Sequence, residues 1–109
     1  MFAQIVTFTL KSGHSRDAFI KLTEEMARWL ESQKGFVAYE LYEGAECWMD
    51  RIAWDNQACA EAGREKFLAS ELSQKLLPFI ESGHRGFFGR AVVSLQPQVE
   101  QGRNEPSQS

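Results

Sequence analysis

The segment ECWMDRIAW (46–54) carries the side chains best suited to chemistry. If it is extended, Glu46, Trp48, Asp50, Ile52 and Trp54 project to one face. A carboxylate at Asp50, held between two indoles in a mainly apolar cleft, would be desolvated. Its pKa would rise, and it could then serve as a general base. The competing reading makes Asp50 a structural ion pair with Arg64, Arg90 or Arg51 of the partner subunit. Trp54 and Trp48 could stack against a flat aromatic substrate, or pack as core beneath helices. Tyr39 and Tyr42 fall on opposite faces of FVAYELYE (36–43), so at most one of them lines a given cavity. His14 and His84, the only histidines, stand in glycine-flanked loops, where either could shuttle protons or simply be solvated.

Other chemistries lack their residue patterns. Two isolated histidines and two isolated cysteines give no metal-ligand spacing, so no metal is expected. GHRGFFG does not follow a strand and open a helix, which excludes a dinucleotide or phosphate loop. No G-x-S-x-G nucleophile motif occurs. Cys47 and Cys59 read as small buried residues with free thiols.

The elements that must position these groups are legible in outline. FAQIVTFTL (2–10) is rich in β-branched and aromatic residues and reads as a strand. Ser15 suits the N-cap of a helix over 16–33, with Phe19, Leu22, Met26, Trp29 and Leu30 on one face. Gly35 fits a left-handed position beyond it. Strands over 36–43 and 46–54, turning at Gly44, form a hairpin. Asp55 or Asn56 caps a helix from Gln57, in which Gly63 allows close backbone approach. Ser70 caps a second helical piece that Pro78 should bend. RGFFGRAVVSL (85–95) is the last strand. The order is β-α-β-β-α-β, an α+β, ferredoxin-like arrangement with a four-stranded antiparallel sheet under two helices. The domain spans 1–95, and QPQVEQGRNEPSQS (96–109) is expected to be a disordered tail.

Strand alternation puts Phe2, Val6, Phe8 and Leu10 opposite Ala3 and Ile5. It sets Val37, Tyr39 and Leu41 against Phe36, Ala38 and Tyr42, and Trp48, Ile52 and Trp54 against Cys47, Met49 and Ala53. Both sheet faces are apolar, yet helices cover only one. A second copy of the chain is the simplest cover for the other, which implies a homodimer. At 109 residues the chain is one domain, and its net charge of −3 with scattered Lys and Arg argues against nucleic-acid binding. No run of apolar residues is long enough for a membrane span, and no signal peptide opens the sequence, so a cytoplasmic protein is expected.

KSGHSRDAF, KGFVAYELYE, IAWDNQACAEA and SELSQKLLPFIE, in this strand order, resemble the antibiotic-biosynthesis-monooxygenase superfamily of dimeric α+β barrels across about residues 2–95. The resemblance implies a cavity between sheet and helices, with Trp54 at the position that lines it in two oxygenase groups. Polyketide-type members place an Asn where this chain has Asp50, and a Tyr where it has Ala60. Haem-degrading members carry a His on the helix after the Trp and an Asn in the first strand. Here 57–82 holds no His, Arg64 stands where one is wanted, and the first strand offers only Gln4 and Thr7.

The reading that follows is a cofactor-independent monooxygenase acting on a small aromatic or quinol-type substrate. Asp50, Trp54 and His84 are its catalytic candidates. Trp48, Tyr39, Arg64 and Phe19 are its substrate-binding candidates, and neither metal nor other cofactor is required. The alternative is a non-enzymatic small-molecule-binding or stress-response protein using the same cavity. Haem binding or degradation comes last, for want of the helical His. A polar group with a shifted pKa facing the cavity would favour the enzyme.

Overall fold

The computed structural model describes residues 1–96. The expected disordered tail therefore lies, from 97 onward, outside the described residues. Strand β1 runs Phe2–Phe8, helix α1 Arg16–Glu31, and strands β2 and β3 Phe36–Glu43 and Trp48–Trp54. Helix α2 spans Gln57–Leu68, α3 Glu71–Leu76, a 3-10 turn Leu77–Phe79, and β4 Arg85–Arg90. The sheet is antiparallel throughout, in the order β2-β3-β1-β4. This is the expected ferredoxin-like α+β arrangement, with β1 and β3 at its centre.

Local chemistry explains most of the boundaries. Ser15 Oγ accepts from the Ala18 N–H at 3.1 Å, Asn56 Oδ1 from Cys59 at 2.9 Å, and Ser70 Oγ from Ser73 at 3.4 Å. Each cap satisfies a donor that a helix start leaves open. α1 buries Phe19, Thr23, Met26 and Leu30, a single stripe at helical spacing. Thr23 is accommodated there because its hydroxyl donates to the Phe19 carbonyl at 2.9 Å. At Pro78 the regular helix gives way to the 3-10 turn, as a residue without a donor requires.

Several expected boundaries and faces are corrected. β1 stops at Phe8 and β3 starts at Trp48 because these two residues are the last pair of their ladder. Leu10 makes only an isolated bridge to Ile80. Glu46 and Cys47 belong to the turn, which the Gly44 N–H closes on the Cys47 carbonyl at 2.9 Å, so Cys47 is exposed rather than buried. β4 ends at Arg90, which faces Phe2 at the start of β1; beyond that pair only the Ala91 N–H still reaches across, to the Met1 carbonyl at 2.8 Å. Val37 does not share the face of Tyr39 and Leu41. A bulge makes Phe36 face Trp54 and Ala38 face Ala53, which leaves Val37 over and turns Phe36 inward against the Trp54 indole.

Candidate active site

The inward faces of β1, β2 and β3, together with α1 and α2, enclose a cavity of about 400 Å³. Its interior is mainly apolar, built from Val6, Phe8, Phe19, Met26, Leu30 and Ile52. Four polar side chains break this lining: Gln4, Tyr39, Asp50 and the already satisfied Thr23. Arg64 and His84 join the lining only at its exposed end, beside Leu68, Leu77 and Phe88. β4 turns Gly86 and Phe88 toward the cavity while both stay exposed, so the mouth opens along that edge of the sheet.

Asp50 projects from the middle of β3 into this space. The Tyr39 hydroxyl donates to its Oδ2 at 3.2 Å. Burial pushes the carboxyl up to about 6, against the smaller opposing pull of the Tyr39 hydrogen bond. The phenol of Tyr39 is itself raised far above its ordinary range, by burial first and then by the charge of Asp50 and their hydrogen bond. Tyr39 therefore stays protonated and acts as a donor. Asp50 makes no salt bridge among the described residues, so neither Arg64 nor Arg90 pairs with it within the chain. Arg51 instead crosses the outer face of the sheet to Glu40 at 2.8 Å.

Trp54, 1% exposed, lines the inner wall. Its Nε1–H donates to Gln4 Oε1 at 3.3 Å across the β1–β3 ladder. The indole lies directly against the backbone of α2 at Gly63, where a Cβ would strike the Trp54 ring. Gly63 thus has the close-approach role its place in the helix suggests. Since its oxygen is committed to Trp54, the Gln4 carboxamide leaves its NH₂ as the available donor in the cavity.

Of the residues singled out by sequence, the fold brings together Asp50, Trp54, Tyr39 and Phe19 inside the cavity and Arg64 and His84 at its mouth. Trp48 is not among them. It packs edge-on to Phe19 at 5.3 Å and parallel to Phe8 at 6.5 Å, under the Arg16 guanidinium, and is core rather than cavity wall. His14 stands apart and meets Phe79 edge-on at 5.0 Å. Position 60 holds a buried alanine, and the phenol of the cavity comes from β2 instead. Gln4 is a functional residue that the sequence offers only as a strand residue in place of an Asn. Its even spacing with Phe2, Val6 and Phe8 signals that it shares their inward face.

Among the described residues, no group of three or more His, Cys, Asp or Glu could hold a metal, and no helix is long and apolar enough to cross a membrane. Solved structures share the fold. SnoaB, a cofactor-independent oxygenase from Streptomyces nogalater, superposes in a variant form with a TM-score of 0.74 at 15% identity, covering 88% of this chain and 97% of its own. Rv0793 from Mycobacterium tuberculosis gives 0.72 at 14% identity, covering 87% and 98%. A variant of MhuD, carrying two manganese protoporphyrin IX molecules per active site, gives 0.71 at 16% identity, covering 89% and 100%. No curated protein matches the sequence significantly. The family model for antibiotic biosynthesis monooxygenase matches residues 1–65, more than half of the chain, and the protein belongs to that family.

Proposed function

We propose that the protein is a cofactor-independent monooxygenase acting on a small aromatic or quinol-type substrate held between sheet and helices. The observation that carries this reading is Asp50, a carboxylate pushed up to about 6 inside an apolar cavity, with Tyr39 as its hydrogen-bond donor. A group of that basicity takes a proton from an activated carbon acid or phenol near neutral pH.

In an anthrone-type substrate, Asp50 accepts the proton of the breaking C–H bond, and the electron pair passes into the ring system. The enolate reduces dioxygen directly, and a C–O bond forms. Returning the proton gives a hydroperoxide. Loss of the second C–H proton with cleavage of the O–O bond then leaves a carbonyl and one water. The substrate supplies all the electrons, so the scheme calls for no resident metal or flavin. Trp54 presents a flat wall to the rings, and the Gln4 NH₂ is available to the oxygen on which negative charge develops. The apolar lining keeps bulk water from quenching the enolate. A purely binding role would have no use for a desolvated carboxylate, and a haem-degrading role would want an imidazole where α2 presents Arg64. A homodimer formed through the open face of the sheet belongs to the same proposal.

Oxygen uptake by the purified protein with a panel of anthrones, naphthols and hydroquinones tests the reading. Uptake above the uncatalysed rate, falling about 100-fold in Asp50→Asn, is the expected result. Uptake that Asp50→Asn leaves intact would remove the base from the scheme. Absence of uptake across the panel would favour a binding protein.

A further inference from the structure

The charged and donor groups around the cavity are arranged along its depth. The one carboxylate of the lining, Asp50, is interior, whereas Arg64 and His84 stand at the mouth. Arg64 projects from α2 toward β4, with its guanidinium 5.8 Å from the centre of the Phe88 ring. That contact holds the side chain across the opening without using its hydrogen-bond donors. Arg64 forms no salt bridge among the described residues, and Glu61, one turn back on the same helix, accepts from Gln57 at 2.9 Å instead. In the exposed part of the lining, Leu68, Leu77 and Phe88 present apolar surface from three different elements.

We infer that the mouth is a carboxylate-recognition site, and that the substrate is an aromatic acid lying lengthwise in the cavity. Its acidic C–H or O–H faces Asp50, and its carboxylate is held at the far end by the Arg64 guanidinium. The chemistry favours this polarity. A planar guanidinium with uncommitted donors matches a carboxylate in two parallel hydrogen bonds. A substrate inserted the other way round would bring its anion against Asp50. Leu68, Leu77 and Phe88 then cover the ring edges nearest the opening. The inference deepens the proposed function, since it uses the same cavity, but it concerns binding and can be read without turnover.

The test compares a naphthol bearing a carboxylate on its far ring with the methyl ester of the same molecule, by equilibrium dialysis at low ionic strength. The acid is expected to bind about tenfold more tightly than the ester. That preference should vanish in Arg64→Gln, with ester affinity unchanged, and invert in Arg64→Glu. Equal binding of acid and ester by the wild type, or a preference that survives both substitutions, overturns the inference. Retained preference without oxygen uptake would reject the oxygenase reading while supporting carboxylate recognition. Binding of neither ligand would reject both. Arg64 is an exposed helix residue, so the variants are expected to fold.

Discussion

Burial acts on Asp50 and Tyr39 in the same direction with opposite chemical consequences. Both acidities fall, which turns the carboxylate into a base near neutral pH and fixes the phenol as a donor. Only the ionised form of Asp50 accepts the substrate proton, so kcat/KM should rise with pH through about 6 and level off above it. The Tyr39 hydrogen bond opposes the effect of burial by stabilising the charged carboxylate. Tyr39→Phe should therefore move the midpoint upward and reduce activity most below neutrality. A pH profile of oxygen uptake for the two proteins decides the matter. A midpoint unmoved or lowered would mean that the hydroxyl does not bond the carboxylate in solution. The sequence shows Asp50 and its alternating tryptophans, but it cannot show this pair. Tyr39 and Asp50 lie eleven positions apart, on adjacent strands, and meet only through the β2–β3 register.

At the scale of the element, the same division between local and tertiary causes recurs. Helix caps at Ser15, Asn56 and Ser70 and the break at Pro78 depend on neighbouring residues, and the sequence states them. The bulge at Val37 and the ends of β1 and β4 depend on what the neighbouring strand offers, so local composition misplaces them. RAVVSL looks like strand, yet its ladder with β1 ends at Arg90, and past that pair only the Ala91 N–H bonds across, to Met1. Gly63 belongs to the tertiary kind and carries a direct consequence for the site. In an isolated helix, Gly63→Ala would stabilise by about 1 kcal/mol. Here the added methyl runs into the Trp54 indole, and overpacking of this type costs about 1–3 kcal/mol. The net expectation is a lower melting temperature, together with reduced oxygen uptake as Trp54 is displaced from Gln4. A thermal melt followed by circular dichroism reads the first effect. A raised melting temperature would mean that α2 rests farther from β3 than described.

Among the described residues, the sheet is covered on one side only. The helices cover the face that carries Gln4, Asp50 and Trp54, while the opposite face of the same strands carries Ile5, Met49, Tyr42 and Phe87. Tyr42 is 50% exposed and Phe87 59%, with Ile5 and Met49 half-buried between them. The face is not uniformly apolar, since Glu40 and Arg51 pair across it, but that pair is internally neutralised and does not forbid burial. A second copy laid on this face would cover the aromatic edges and bring two such sheets back to back. Sedimentation at micromolar concentration should then give a dimer. Ile5→Asp, at the centre of the face, should give a folded monomer, because a charge there would be buried without a partner. Since β1 and β3 present cavity residues on one side and this surface on the other, the monomer should also lose activity with its far-ultraviolet spectrum intact. A dimeric Ile5→Asp variant would place the contact elsewhere, and a monomeric wild type would leave the sheet face open to water. Retained activity in a monomeric variant would show that each cavity works on its own.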